Sequence, residues 1–425
     1  MKKTEEAFLN LLRAALQEEA PDDPELNPEE WEALLLLSES HKLLPLILDE
    51  ACGLPSCRAA LASDKQKNDQ FTQEQKSPRT HRPWKELALE QFCRQALQEN
   101  EFLNLMLALR ERGLEPVVMK GAVCRALYPK PLLRSSLDDD LMIPEDQVQA
   151  YHAALLELGL TADDPDFDPA SAWELPYHKQ GSPLFVELHK KLFDPTSPVF
   201  GGFNLPFEGA LDRSVPITVQ DVTLRTLAPT DHLLFLILHA FKHFLLSGFG
   251  MRIVADVCLY SRQNAGQIDF QRLLSLCEAQ SCQLFASAVY RIGEKYLGLP
   301  MPEPFAALQV DENELLLDVL DSGLHGEEVD RLHSANITLG AAAAGKTGKP
   351  RTGSLRKTLF PSAGKLKNSY PFLAKRPWLL PYAWACRIGA YWKNNKRYGK
   401  QSPTATLRIG RERVKLLKIY GVIDE

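Results

Sequence analysis

Apolar residues recur at three-to-four spacing from Ala7 to Leu16 and from Trp31 to Leu48. They do so again over a longer stretch, Trp84 to Arg112, where Gly113 follows as a natural C-cap. The pattern predicts a helical N-terminal region over residues 1–115. Within it Ala60 to Arg82 is rich in Gln, Lys and Ser, and reads as a mobile polar loop over about 60–82. After Gly113 the period changes. Pro116 to Met119 reads as a strand, Ala122 to Leu127 as a short helix, Asp138 to Ile143 as a second strand and Glu145 to Leu158 as a helix. Glu174 to Lys179 and Leu184 to His189 read as a hairpin around Gly181-Ser182-Pro183, and Val215 to Val219 with Val222 to Leu227 as another. Residues 116–230 are therefore expected to form a small α+β core. Pro229-Thr230-Asp231 is a good helix start, and a helical domain is expected over 231–333. Ser334 to Ser354 is rich in Ala, Gly, Lys and Thr and opens a linker and basic C-terminal helical region, 334–425.

The chain of 425 residues, 45% hydrophobic and 24% charged, has the composition of a globular protein. Its net charge of −6 gives no global argument for nucleic acid. Charge is uneven, however: residues 341–425 hold 19 Lys+Arg against 3 Asp+Glu. The N-terminus leads straight into an acidic amphipathic pattern without an apolar signal core. The most apolar run, Leu233 to Leu246, is interrupted by His239, Lys242 and His243 and reads as a buried helix, so no membrane span is expected. The eight cysteines form no CxxC pair, which points to free thiols in a cytoplasmic protein.

The chemistry concentrates between Val117 and Pro144. Asp138 and Asp140 open a strand one residue apart, so they share a face and Asp139 points the other way. Two same-facing carboxylates can chelate a divalent cation, Mg²⁺ or Mn²⁺. Lys120-Gly121 lies between a short strand and a short helix, where glycine would let a phosphate approach the backbone. Lys120 and Arg134 add positive charge, and the unit as a whole reads as a site for a nucleoside triphosphate. A two-metal transfer needs a third carboxylate. Glu187, in the apolar strand Phe185-Val186-Glu187-Leu188-His189, is the candidate, and His189 shares its face. His239 and His243 have i, i+4 spacing but lack the acidic residue of an HExxH zinc motif, and read as core or interdomain histidines. Arg252 and Asp256 read as a helix-face ion pair or an interdomain clamp.

Strand, Lys120-Gly121-Ala122, helix, Tyr128, then Arg134 and Asp138-x-Asp140-Leu141 resembles the uncharacterised nucleotidyltransferase family of the DNA polymerase β-type superfamily. Val186-Glu187-Leu188-His189 is similar to that family's acidic-x-His strand, and the segment from Leu227 through His239, His243 and Asp256 to its helical part. The likeness extends over roughly 116–425 and includes the proline-rich basic end. It implies a small mixed-sheet core with helical regions on either side. It also implies Asp138, Asp140 and Glu187 as catalytic metal ligands, Lys120 and Gly121 at the triphosphate, and Arg134 and His189 supporting the site. The implied reaction moves a nucleoside monophosphate, with ATP among the candidate donors, to the hydroxyl of a small molecule, protein or RNA, with release of pyrophosphate. Three positions depart from the pattern: Leu137 stands where glycine is usual, Ala122 where serine is frequent, and Asp139 where an apolar residue is usual. Asp139 is expected to weaken its strand. Two other readings stand beside this one: a catalytically degenerate nucleotidyltransferase fold serving as a binding or scaffold protein, and a DxD metal-dependent glycosyltransferase built on Asp138-Asp139-Asp140.

Overall fold

The computed structural model describes residues 1–74, 83–162, 168–325, 338–343, 376–384, 386 and 403–423. Five helices come first: α1 (Lys3–Gln17), α2 (Pro28–Ser40), α3 (Leu44–Ala51), α4 (Pro55–Glu74) and α5 (Trp84–Arg110). Asn27 caps α2 by accepting from the amides of Glu29 and Glu30, while the Glu30 carboxylate accepts from the Asn27 amide. The single helix expected over Trp31 to Leu48 is two helices. Lys42 turns to a left-handed φ of 59°, and Pro45, which can neither donate its amide nor fit the preceding turn, begins α3 instead. The polar loop expected over about 60–82 is helical as far as Glu74; residues 75–82 lie outside the described set. Ala, Gln, Lys and Glu are good helix formers, so the polarity there marked solvent contact and not chain irregularity.

The sheet and its crossovers follow: β1 (Val117–Val118), α6 (Ala122–Arg125), β2 (Asp139–Met142), α7 (Val148–Glu157), β3 (Leu160–Ala162), β4 (Glu174–Lys179), β5 (Phe185–His189), β6 (Val215–Val219) and β7 (Val222–Thr226). Both expected hairpins form, β4–β5 and β6–β7. The seven strands lie in the order β3-β4-β5-β2-β1-β7-β6, mixed in direction, with β2–β5 and β1–β7 parallel. This is an α+β fold with a mixed sheet between helices, as expected. The three-residue edge strand β3 carries too little pattern to be read in advance.

Register sorts the sheet into two faces. Asp139 pairs with Val186 and Leu141 with Leu188, and Leu175 and Tyr177 of β4 continue the same row. Apart from Asp139 these are buried apolar side chains. The opposite face carries Asp140 beside Glu187, Met142 beside His189, and Glu174 beside His189. One face therefore buries hydrocarbon and the other presents acid and imidazole.

After the sheet come α8 (Pro229–Leu246), α9 (Met251–Gln263), α10 (Phe270–Ala279), α11 (Gln283–Leu297), α12 (Glu303–Ala306) and α13 (Asn313–His325). Met1–Lys242 with Phe249–Leu324 form one compact unit, which holds the N-terminal helices, the sheet and these helices apart from the end of α8. His243–Gly248 with His325–Glu425 form a second, in which α14 (Pro403–Ile419) places the buried Arg413 side chain on the Phe244 carbonyl. Residues 338–343 of the expected linker are helical, in keeping with their alanine content, and the rest of that stretch lies outside the described residues. No helix among the described residues is long and apolar enough to cross a membrane. All eight cysteines are free thiols.

Candidate functional site

The parallel pairing of β2 with β5 creates the site. It sets Asp140 opposite Glu187 and brings His189 onto the same face. His189 Nε2 lies 3.0 Å from Asp140 Oδ1 and 3.6 Å from Glu187 Oε2, and one ligand atom from each of the three falls within 4.8 Å of the others. Among the described residues this is the one group of three or more such side chains that could hold a metal ion. Asp138 lies just before β2, its side chain 31% exposed. It is held there by Ser136, whose amide donates to Gln95 Oε1 of α5 at 2.6 Å and whose hydroxyl donates to the Asp138 carbonyl at 3.0 Å. Lys120 joins the two aspartates: its Nζ is 2.8 Å from Asp140 Oδ2 and 3.3 Å from Asp138 Oδ2. His239 Nε2 of α8 lies 3.2 Å from the same ammonium.

Charge explains the arrangement. Burial alone would raise the Asp140 carboxyl, but Lys120 and then His189 outweigh it and hold it well below the usual carboxylate range. Burial would likewise lower His189; its bonds to Asp140 and Glu187 overcome this and raise it to about 9. Lys120 is raised by Asp138 and Asp140 against its own burial. The metal-free site is thus a set of carboxylates whose counter-charges are an ammonium and an imidazolium. A divalent cation fits the same donors, two carboxylate oxygens and an imidazole nitrogen.

Asp139 is fully buried on the apolar face, where burial raises its carboxyl and donors from three directions oppose that cost. Ala122 N–H donates to Oδ1 at 3.1 Å, Arg125 Nη2 donates to Oδ1 at 3.3 Å, and Gln98 Nε2 donates to Oδ2 at 3.1 Å. Arg125 also reaches Glu99 at 3.4 Å. Gly121 makes this packing possible. Its φ is +53°, and a Cβ there would sit 1.7 Å from Asp139 Oδ1. The close approach that glycine permits is to this carboxylate, and the Ala122 amide, which would otherwise be free for an anion, is already bonded to it.

Beyond Lys120 the face opens into a cavity of about 30 Å³, room for a water or two. Arg134, Asp138, His239, Arg252 and Asp256 are among its lining residues. Arg134 is buried and bidentate on Asp256, at 2.9 and 2.6 Å, and the Tyr128 hydroxyl donates to the same carboxylate at 2.9 Å. Asp256 thus pairs across the fold with Arg134, and the expected Arg252–Asp256 ion pair along α9 does not form. Leu137 is 52% exposed.

The uncharacterised nucleotidyltransferase family matches residues 27–298. The chain belongs to this family. No curated protein and no solved structure matches it. The match begins in the N-terminal helices, so in this nucleotidyltransferase family member α2 to α5 fall within the matched region together with the sheet. That agrees with the packing of Gln95, Gln98 and Glu99 behind the aspartates. A sheet preceded by helices, with no βαβ unit before the acidic run, also removes the structural basis for the glycosyltransferase reading. Glu174 was not anticipated. It pairs with His189 across β4–β5, and burial raises its carboxyl. Its position in an alternating strand was readable, but the antiparallel register that brings it to His189 was not. Trp173 next to it sets its ring 6.2 Å from the His189 ring.

Proposed function

We propose that this family member moves a nucleoside monophosphate from a nucleoside triphosphate to an acceptor hydroxyl and releases pyrophosphate. The observation that carries the reading is the β2–β5 register, which gathers buried Asp140 and His189 and half-buried Glu187 on one face of the sheet, with Asp138 just before β2. Asp138, Asp140 and Glu187 would hold divalent cations. Bound there, the cations supply the charge that makes an acceptor hydroxyl acidic and neutralises the phosphates. Carboxylate oxygens of this kind suit Mg²⁺ or Mn²⁺.

The protein's own groups do the rest. His189 Nε2 bonds to Asp140 Oδ1 at 3.0 Å and orients that carboxylate. Lys120, displaced from the two aspartates, is the nearest ammonium for the phosphate oxygens and offsets the charge of the departing pyrophosphate. The acceptor oxygen forms its bond to the α-phosphorus as the bond to the pyrophosphate oxygen breaks, in line. Gln95 and Ser136 keep Asp138 in place. Eight thiols without a disulfide fit a reducing compartment such as the cytoplasm.

The test compares the wild-type protein with the double variant Asp138→Asn, Asp140→Asn. Calorimetry with each nucleoside triphosphate and Mn²⁺ reads binding, and an α-³²P-labelled nucleotide reads transfer to cell-extract acceptors. Metal-dependent binding and transfer are lost in the double variant. Unchanged binding and transfer refute the assignment, and a wild-type protein that binds no nucleotide points to the scaffold reading.

A further inference from the structure

Three cations line the cavity beside Asp138, and two of them are already committed. Lys120 is held by Asp138 and Asp140, and Arg134 is bidentate on Asp256. The third, Arg252, makes no side-chain hydrogen bond or ion pair among the described residues. It lies half-buried in the first turn of α9, a thirteen-residue helix, where the macrodipole is already positive and a cation is least at ease. Burial and the nearby Arg134 hold its guanidinium below the ordinary arginine value, against the weaker pull of Asp256 and Asp138. Arg134 adds a second unmet donor: its Nη1 is buried with no hydrogen-bond partner, although the rest of the guanidinium is satisfied by Asp256. An unpaired guanidinium and an orphaned guanidinium nitrogen on the walls of one cavity are a demand for an anion.

We propose that Arg252, with the free Nη1 of Arg134, is the subsite for the two terminal phosphates of the nucleotide, the group that leaves as pyrophosphate. This rests on the nucleotidyl-transfer reading for the identity of the ligand. The placement follows from the walls. Asp138 lines the same cavity and its charge reaches Arg252, so an anion there lies between the guanidinium and the carboxylates that would hold the cations. A planar fork suits two phosphate oxygens at once, as a lysine would not. The cavity now has room for little more than water, so the subsite fills only as Lys120 and Arg252 swing onto the ligand.

The experiment measures inorganic pyrophosphate, ATP and AMP binding to the full chain by calorimetry, with Mn²⁺ and again in EDTA. It compares wild type with Arg252→Gln and follows the thermal unfolding of both. Arg252 is half-buried and makes no side-chain bond in the ligand-free protein, so the ligand-free variant melts close to the wild-type temperature. Its affinity for pyrophosphate and ATP falls tenfold or more, while AMP, which lacks the terminal phosphates, is unaffected. Unchanged pyrophosphate and ATP affinity overturns the proposal. So does an equal loss for AMP, or a variant that melts lower and thereby shows Arg252 to be structural. The arm in EDTA separates this failure from that of the transfer reading. Pyrophosphate binding through Arg252 needs no cation, whereas the transfer reading stands or falls on the aspartate double variant.

Discussion

Replacing Gly121 with alanine tests whether this glycine serves the fold or the ligand. The added Cβ lands 1.7 Å from Asp139 Oδ1 and 2.7 Å from Cγ, where ordinary contacts begin near 3.4 Å. The carboxylate must therefore swing away from the Ala122 amide, Gln98 and Arg125, its three partners. Breaking a buried, hydrogen-bonded charge pair costs about 3–5 kcal/mol, and a non-glycine residue at so unfavourable a backbone angle adds about 1–3 kcal/mol. The total, on the order of 4–8 kcal/mol, is a large part of the about 5–15 kcal/mol that holds a typical domain together. Guanidinium unfolding followed by circular dichroism reads it as a shift in midpoint, with the slope checked for constancy. A double-mutant cycle with Asp139→Ala isolates the cause. Without the carboxylate, the nearest atom of residue 139 to the new Cβ is its Cα at 3.3 Å, so most of the penalty of Gly121→Ala disappears. A Gly121→Ala variant of wild-type stability that had lost only nucleotide affinity would refute the packing account and restore the phosphate one.

Removing the Lys120 charge with Lys120→Met leaves Asp138 and Asp140 without their cation, so the metal-free protein melts lower and Mn²⁺ raises its melting temperature by more than it raises that of wild type; equal shifts in the two would show that lysine and metal do not compete for the same oxygens. Glu187→Gln, on the open face, weakens Mn²⁺ binding about tenfold or more while leaving the unfolding midpoint close to wild type, and calorimetry with circular dichroism checks both halves. Burial holds His41 and His232 at about 4, below the ordinary 6.5. The unfolded chain therefore takes up these protons first, so their stabilisation is complete above pH 6.5 and is lost as pH falls toward 4, by at most about 3 kcal/mol each. The variants His41→Asn and His232→Asn flatten that acid limb in unfolding titrations; an unchanged slope would assign it to other groups.

What could be read from the chain was what a two-residue period or a helical period encodes. Asp138 and Asp140 against Asp139, and Glu187 with His189, were sorted correctly because strand alternation depends on nothing beyond the strand. Helix starts such as Pro229-Thr230-Asp231 were legible for the same local reason. The failures share the opposite cause. Gln98 and Arg125 reach Asp139 from elsewhere in the chain, 41 and 14 residues away, so a buried, fully bonded carboxylate looked like a defect. Asp256 was read against Arg252 one turn away, but Arg134, 122 residues distant, offers a bidentate fit that a single helical turn does not. Gly121 followed by a helix was read by a rule about anions. The anion it accommodates is a side chain of the protein itself.

The three consecutive aspartates invite the idea that they are interchangeable, and the pleat denies it. Their outer members meet Lys120, while the middle one is a strut seated among Gln98, Ala122 and Arg125. Asp140 balances the charge of Lys120 and His189, whereas Asp139 sits against the backbone at Gly121, where no side chain fits while the carboxylate is present. A change at position 121 is therefore felt first at the middle aspartate and not at either of its neighbours.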